Sequence, residues 1–159
     1  MKKILYRVFK VVSIFSIATI SLTSCVKDKT KTTYSGPDLV EFANPNYIVP
    51  VNPVAKTIAT AAITTPRPDS MFIQLVGPQR STATNVTFAV DAASTAIAGT
   101  DYTIVTPSPV VIPAFTSGVK VRVTISRVTT QKRLIFNLTG GDNVTPSANF
   151  KVFTYTLNP

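Results

Sequence analysis

The 159 residues carry sixteen Lys and Arg against seven Asp and Glu, a single cysteine, and neither histidine nor tryptophan. Without histidine there is no Ser-His-Asp or Cys-His relay and no imidazole-based zinc site, and one cysteine forms no internal disulfide. Thr, Val, Ala, Ile and Pro dominate, which favours strands and turns over helices, and the basic residues are dispersed rather than interleaved with aromatics, which argues against a nucleic-acid surface.

Met1 to Lys10 holds four positive charges (Lys2, Lys3, Arg7, Lys10) and no acid, and Val11 to Ile20 is an apolar run broken only by Ser13, Ser16 and Thr19. A basic segment followed by a short apolar one is the order of a secretory signal. A spanning helix needs about 20 predominantly apolar residues, and this run is shorter and bears serines. Loss of the leader takes away four of the sixteen basic residues and leaves a net charge of +5 from the formal +9.

By itself the lone Cys25 is open to three readings, an intermolecular bridge, a reactive thiol or a lipid attachment point. Its neighbours decide. Leu22, Thr23, Ser24 and Cys25 resemble the bacterial lipobox, in which small residues precede a cysteine that is acylated before the leader is cut. That resemblance implies a thioether on Cys25, a palmitate-bearing anchor in the membrane, and a sulfur lost to catalysis. One acyl chain binds a bilayer marginally, whereas two or more, at about 0.8 kcal/mol per buried methylene, hold a protein stably.

Val26 to Pro37 (VKDKTKTTYSGP) is polar and lacks apolar periodicity, so it reads as a flexible tether. Lys27, Lys29 and Lys31 can each favour anionic headgroups by about 1 kcal/mol near the surface. Only Asp28 is acidic there, so an acidic surface-export signal is not evident and the leaflet stays open.

From Leu39 the pattern becomes short alternating apolar runs separated by Pro, Gly, Asn and Asp, the mark of antiparallel strands. Val119, Val121, Val123 and Ile125 alternate with Lys120, Arg122 and Thr124, which predicts four side chains on a core and three in water. Val86, Phe88 and Val90 repeat the pattern, as do Leu134, Phe136 and Leu138, with Ile135 out of phase, and Phe153, Tyr155 and Leu157. Fainter strands are expected at Leu39 to Phe42, Thr57 to Thr64, Met71 to Val76, Tyr102 to Val105 and Val110 to Ile112. Pro66 with Pro68, Gly77 with Pro78, Gly99, Pro107 with Pro109, Pro113, Gly118 and Gly140 with Gly141 are read as loop markers. The expected fold is all-β, an antiparallel sandwich of about seven to nine strands. Residues 1–24 form the leader, 25–37 the lipidated cysteine and tether, and 38–159 the sandwich domain.

The stretch from Val86 to Leu138 resembles a Calx-β-type immunoglobulin-like domain of the kind found in many Bacteroidota lipoproteins. Thr87 to Val90 (TFAV), Ala96 to Tyr102 (AIAGTDY), Pro109 to Pro113 (PVVIP), Val119 to Ile125 (VKVRVTI) and Arg133 to Leu138 (RLIFNL) carry the likeness, AGTDY most specifically. Gly99 permits a turn that a Cβ resists, and Asp101 can accept from turn amides before Tyr102 enters a strand. Members of that family bind Ca²⁺ through carboxylates clustered at one end. Here the corresponding loop, Ser126 to Lys132, reads SRVTTQK, and Asp91, Asp101 and Asp142 stand apart in sequence, so they are weak metal candidates beside a reading as turn caps.

Other chemistry is thin. Asp38, Glu41, Asp69, Asp91, Asp101 and Asp142 sit in no recognisable pair for glycoside hydrolysis, and Gly140-Gly141 stands alone rather than in a phosphate loop. Tyr34 and Tyr47, in irregular stretches, are candidates for a ligand surface, with packing or a solvated linker as the alternative. Asp69-Ser70-Met71 resembles the Asp-Ser/Thr-apolar acceptor of Bacteroidota O-glycosylation, which makes Ser70 a candidate, with a turn before a strand as the plain reading. These features favour a non-catalytic lipoprotein of the cell envelope, at the outer membrane, serving as a binding or spacer module accessory to glycan uptake or adhesion. No cofactor is expected, and the partners are the membrane and a glycan or envelope protein. A Ca²⁺-binding structural module is the alternative, and a hydrolase the weaker one.

Overall fold

The computed structural model describes residues 34–43 and 54–159. Tyr34 to Pro159 is one compact unit, built from ten strands without a helix among the described residues: β1 Leu39–Ala43, β2 Val54–Ala59, β3 Arg67–Val76, β4 Thr84–Val90, β5 Tyr102–Ile104, β6 Val110–Ile112, β7 Gly118–Ile125, β8 Lys132–Gly141, β9 Thr145–Pro146 and β10 Val152–Asn158. They form two five-stranded sheets, ordered β5-β7-β3-β1-β9 and β2-β10-β8-β4-β6.

Strand alternation builds the core. In β7, Val121, Val123 and Ile125 are buried while Lys120 and Arg122 are exposed, and in β10 Phe153, Tyr155 and Leu157 are buried. Phe42 from the first sheet meets Phe153 of the second edge-on at 5.7 Å between ring centres. The contact continues through Phe153–Tyr155 at 4.8 Å, Tyr155–Phe136 at 6.4 Å and Phe136–Phe88 at 6.0 Å. T-shaped pairs of this kind add about 0.5–1.5 kcal/mol each beyond their burial; the row ties the two sheets at Phe42–Phe153 and runs on across β10, β8 and β4 of the second sheet.

Six of the eight strand pairings are antiparallel; β1 with β9 and β2 with β10 are parallel. The tenth strand is the two-residue β9, too short to give periodicity. Several local expectations are corrected. The strand expected over Thr57 to Thr64 runs instead over Val54–Ala59, because its partner β10 ends at Asn158 and Thr60 turns the chain there. Pro68 is not a loop marker but the second residue of β3. Among the described residues, β1 ends at Ala43 opposite Phe72 and residues 67–71 of β3 pair with β7. Gly118 likewise begins β7. Gly140 and Gly141 end β8 opposite Thr87 and Val86, past a register shift, and do not form a free turn. Ile135, out of phase, is buried because the segment after β4 folds over it: Ser94 Oγ accepts from the Ile135 amide, and the Asp91 amide donates to its carbonyl.

Candidate functional site

The strands define two ends. At one, where the chain enters β1, the β3–β4 segment (77–83), the β6–β7 segment (113–117) and Asp142 to Val144 come together. At the other, the β2–β3 segment (60–66) and the β7–β8 segment (126–131) meet: the Val128 amide donates to Thr60 Oγ1 at 3.1 Å. Thr60 is fully buried, and its hydroxyl also donates to the Asn158 carbonyl at 2.7 Å.

Toward this second end lies the main charged cluster of the described core. Asp69 falls in phase with the inward Met71 and Ile73, and its side chain is 6% exposed. Lys56 Nζ reaches both carboxylate oxygens at 2.7 Å, the Ser70 amide donates to Oδ1 at 2.7 Å, and the hydroxyl of Tyr155 donates to Oδ1 at 3.1 Å. A buried carboxylate persists only when its charge is matched and its lone pairs are used. Burial pushes the Tyr155 phenol far above its ordinary value, and the neighbouring Asp69 charge and hydrogen bond add to the rise. Beyond the cluster, Ala59, Ala62, Ile63, Thr64, Thr65, Pro66, Arg67 and Pro68 line an open groove of about 270 Å³. Its walls mix apolar and hydroxyl-bearing side chains with one guanidinium, and its lining holds no acid-base pair.

Of the residues singled out from the sequence, Cys25, Leu22, Thr23, Ser24 and Tyr47 lie outside the described residues. Tyr34 is 39% exposed and donates to the Pro37 carbonyl at 2.7 Å, a local turn at the entry end. Ser70 is exposed in β3 opposite Arg122, so Asp69-Ser70-Met71 lies within a strand and not in a turn before one. Asp91 accepts from the Ala93 amide and from Asn137, contacts that hold its carboxyl below the ordinary value. Buried Asp101 accepts from the Ile97 amide at 2.8 Å while Gly99, at φ +79°, closes the loop onto the Tyr102 carbonyl. Asp142 accepts from the amide and side chain of Asn85. The three aspartates are not brought together: no group of three or more His, Cys, Asp or Glu able to hold a metal occurs among the described residues.

Sequence reading passed over Lys56, Thr60 and Phe115. Lys56 and Asp69 do carry a signal, each a charge in phase with the buried apolar residues of its strand. Phe115 carries none, since its exposure follows from a loop conformation.

No family model matches the chain, and no curated protein matches it. Among solved structures, the apo form of the Calx CBD1 domain superposes over 77% of this chain and 97% of its own, with a TM-score of 0.55 at 14% identity. The fold is Calx-β-like. A two-domain protein of unknown function from Bacteroides fragilis shares the Calx-β-like sandwich over 77% of this chain and 45% of its own, with a TM-score of 0.54 at 10% identity. The calcium binding domain CBD12 of CALX1.1 does so over 67% and 42%, with a TM-score of 0.52 at 16% identity. This chain therefore spans under half of each of those two longer proteins. At such identities the Calx-β-like likeness speaks for the fold.

Proposed function

We propose that the chain is a lipoprotein of the bacterial cell envelope, anchored at the outer membrane through Cys25, whose sandwich is a non-catalytic binding or spacer module. The observation that carries this reading is the lipobox-like Leu22-Thr23-Ser24-Cys25 at the end of a basic-apolar leader, with the only cysteine at the acylated position. Supporting the non-catalytic part, Glu41 accepts from Gln74, Asp69 from Lys56 and Tyr155, and Asp91, Asp101 and Asp142 from turn or strand groups. Carboxylates tied into the framework in this way are poor acids or bases. The groove beside Arg67 is the surface offered to a glycan or an envelope protein, as an accessory to uptake or adhesion.

The test is fractionation of wild type and Cys25→Ser, followed by a glycan and envelope-protein binding screen with the mature domain. Wild type is expected in the outer-membrane fraction and Cys25→Ser outside it, and an Arg67→Ala domain is expected to lose whatever the wild type binds. Cys25→Ser remaining in the membrane contradicts the anchor; a screen without a hit removes the binding role and leaves the spacer.

A further inference from the structure

We infer that the entry end of the sandwich is a bilayer-contacting surface, with Phe115 as its anchor. The inference deepens the anchored reading and rests on it.

Phe115 is 70% exposed and sits at φ +58°, a conformation a bulky side chain rarely takes. The left-handed region is sterically unfavourable for an L-residue, and here it places an aromatic ring in water. The loop is nonetheless fixed. The Phe115 amide donates to the Arg80 carbonyl at 2.8 Å, Thr116 Oγ1 donates to the Pro113 carbonyl at 2.7 Å, and Gln79 Nε2 donates to Ser117 Oγ at 3.0 Å. Arg80 Nη1 in turn donates to the Asp142 carbonyl at 2.7 Å, next to Asn143, the other non-glycine residue at positive φ. Both such residues of the described chain therefore stand on loops stitched together by Arg80. Strain of this kind marks surfaces held ready for a contact.

The occupant follows from the position of this end. Tyr34 packs over Gly77 here, and only eight residues separate it from Cys25 in sequence. A random coil of that length has a root-mean-square reach of about 15–20 Å, whereas a ten-residue strand such as β3 spans about 33 Å. An acylated Cys25 thus keeps the entry end near the bilayer and the opposite end away from it. Tyr34, Pro78 and Pro113, on the segments of this end, and Val111, on β6 just before Pro113, are exposed as well, giving the apolar and aromatic groups that settle at a headgroup boundary. Lys27, Lys29 and Lys31 against one Asp28 add attraction to anionic lipid.

The chain has no tryptophan, so Phe115→Trp introduces a sole indole reporter, Val111→Trp a second at the same end, and Ile97→Trp, at a residue 57% exposed toward the opposite end, the control. Each mature chain is coupled through Cys25, its only thiol, to maleimide-headgroup lipid in phosphatidylcholine/phosphatidylglycerol vesicles with or without brominated acyl chains. The expected result is that Phe115→Trp loses most of its emission to brominated lipid, Val111→Trp loses part, and Ile97→Trp is unchanged. Equal, undiminished emission from all three overturns the inference. Chemical coupling makes this readout independent of cellular acylation, which the mass of the native N-terminal peptide reports separately. A failed anchor and a failed orientation are thus told apart.

Discussion

Asp69 occupies a position where strand phase calls for an apolar side chain, and its three partners explain why it is tolerated. Removing one of them has a calculable effect. Tyr155→Phe keeps the packing against Phe153 and Phe136 and deletes a hydrogen bond to a carboxylate, so it should lower stability by about 1.5–3 kcal/mol near neutral pH, read from urea unfolding midpoints. The folded phenol titrates far above its unfolded value, so its contribution is complete below about pH 10 and is lost as pH rises beyond it, at about 1.4 kcal/mol per pH unit. The gap between wild type and Tyr155→Phe should therefore hold steady from about pH 8 to about pH 10 and shrink between about pH 10 and about pH 11. A gap that stays constant contradicts the buried phenol. Thr60→Val preserves shape while orphaning the Val128 amide and removing a donor from the Asn158 carbonyl. It should cost about 2–3 kcal/mol in the same assay, against near zero for a substitution at the exposed Thr129.

At the scale of strands, what the sequence reveals is set by length and by what lies on each face. Four residues of β7 alternate cleanly because one face meets the core and the other water, and β4 and β10 share that asymmetry. The boundary of β2 was hidden, because Thr-Ile-Ala-Thr continues the alternation while the chain turns at Thr60 on a contact with Asn158, ninety-eight residues away. Gly140-Gly141 misled for a related reason, since two glycines mean a turn locally yet here the ladder runs on through them. The Lys56–Asp69 pair was half legible, each charge falling in phase with apolar residues of its own strand while only the packing of one sheet against the other brings them together. A Cβ at Gly141 would run into the Asn85 carbonyl, a backbone atom that cannot swing aside. Gly141→Ala should accordingly cost about 3 kcal/mol or more, whereas Gly99→Ala, with no atom near its Cβ, should show only the backbone strain of about 1–2 kcal/mol. Thermal unfolding of the two variants side by side checks the order.

For the molecule as a whole, the sandwich and its Calx-β-like character were legible because the loop AGTDY and four alternating runs lie in the right sequence order, while the polar contacts that join the ends are set by folding alone. A neighbouring structure is a calcium binding domain, yet the aspartates considered for metal here each serve backbone amides in different loops. Adding about 100 Kd of a bound ligand raises stability by about 2.7 kcal/mol; the melting temperature should instead stay unchanged between chelator and millimolar Ca²⁺, and a rise would establish a metal site. The most direct measurement of the account is the mass of the N-terminal peptide of the protein isolated from its native membrane. It should begin at Cys25 and carry diacylglycerol on the sulfur, with label from an alkyne palmitate fed to the cells. A peptide that retains the leader ahead of an unmodified Cys25 thiol would contradict the anchor and, with it, the envelope reading of the domain.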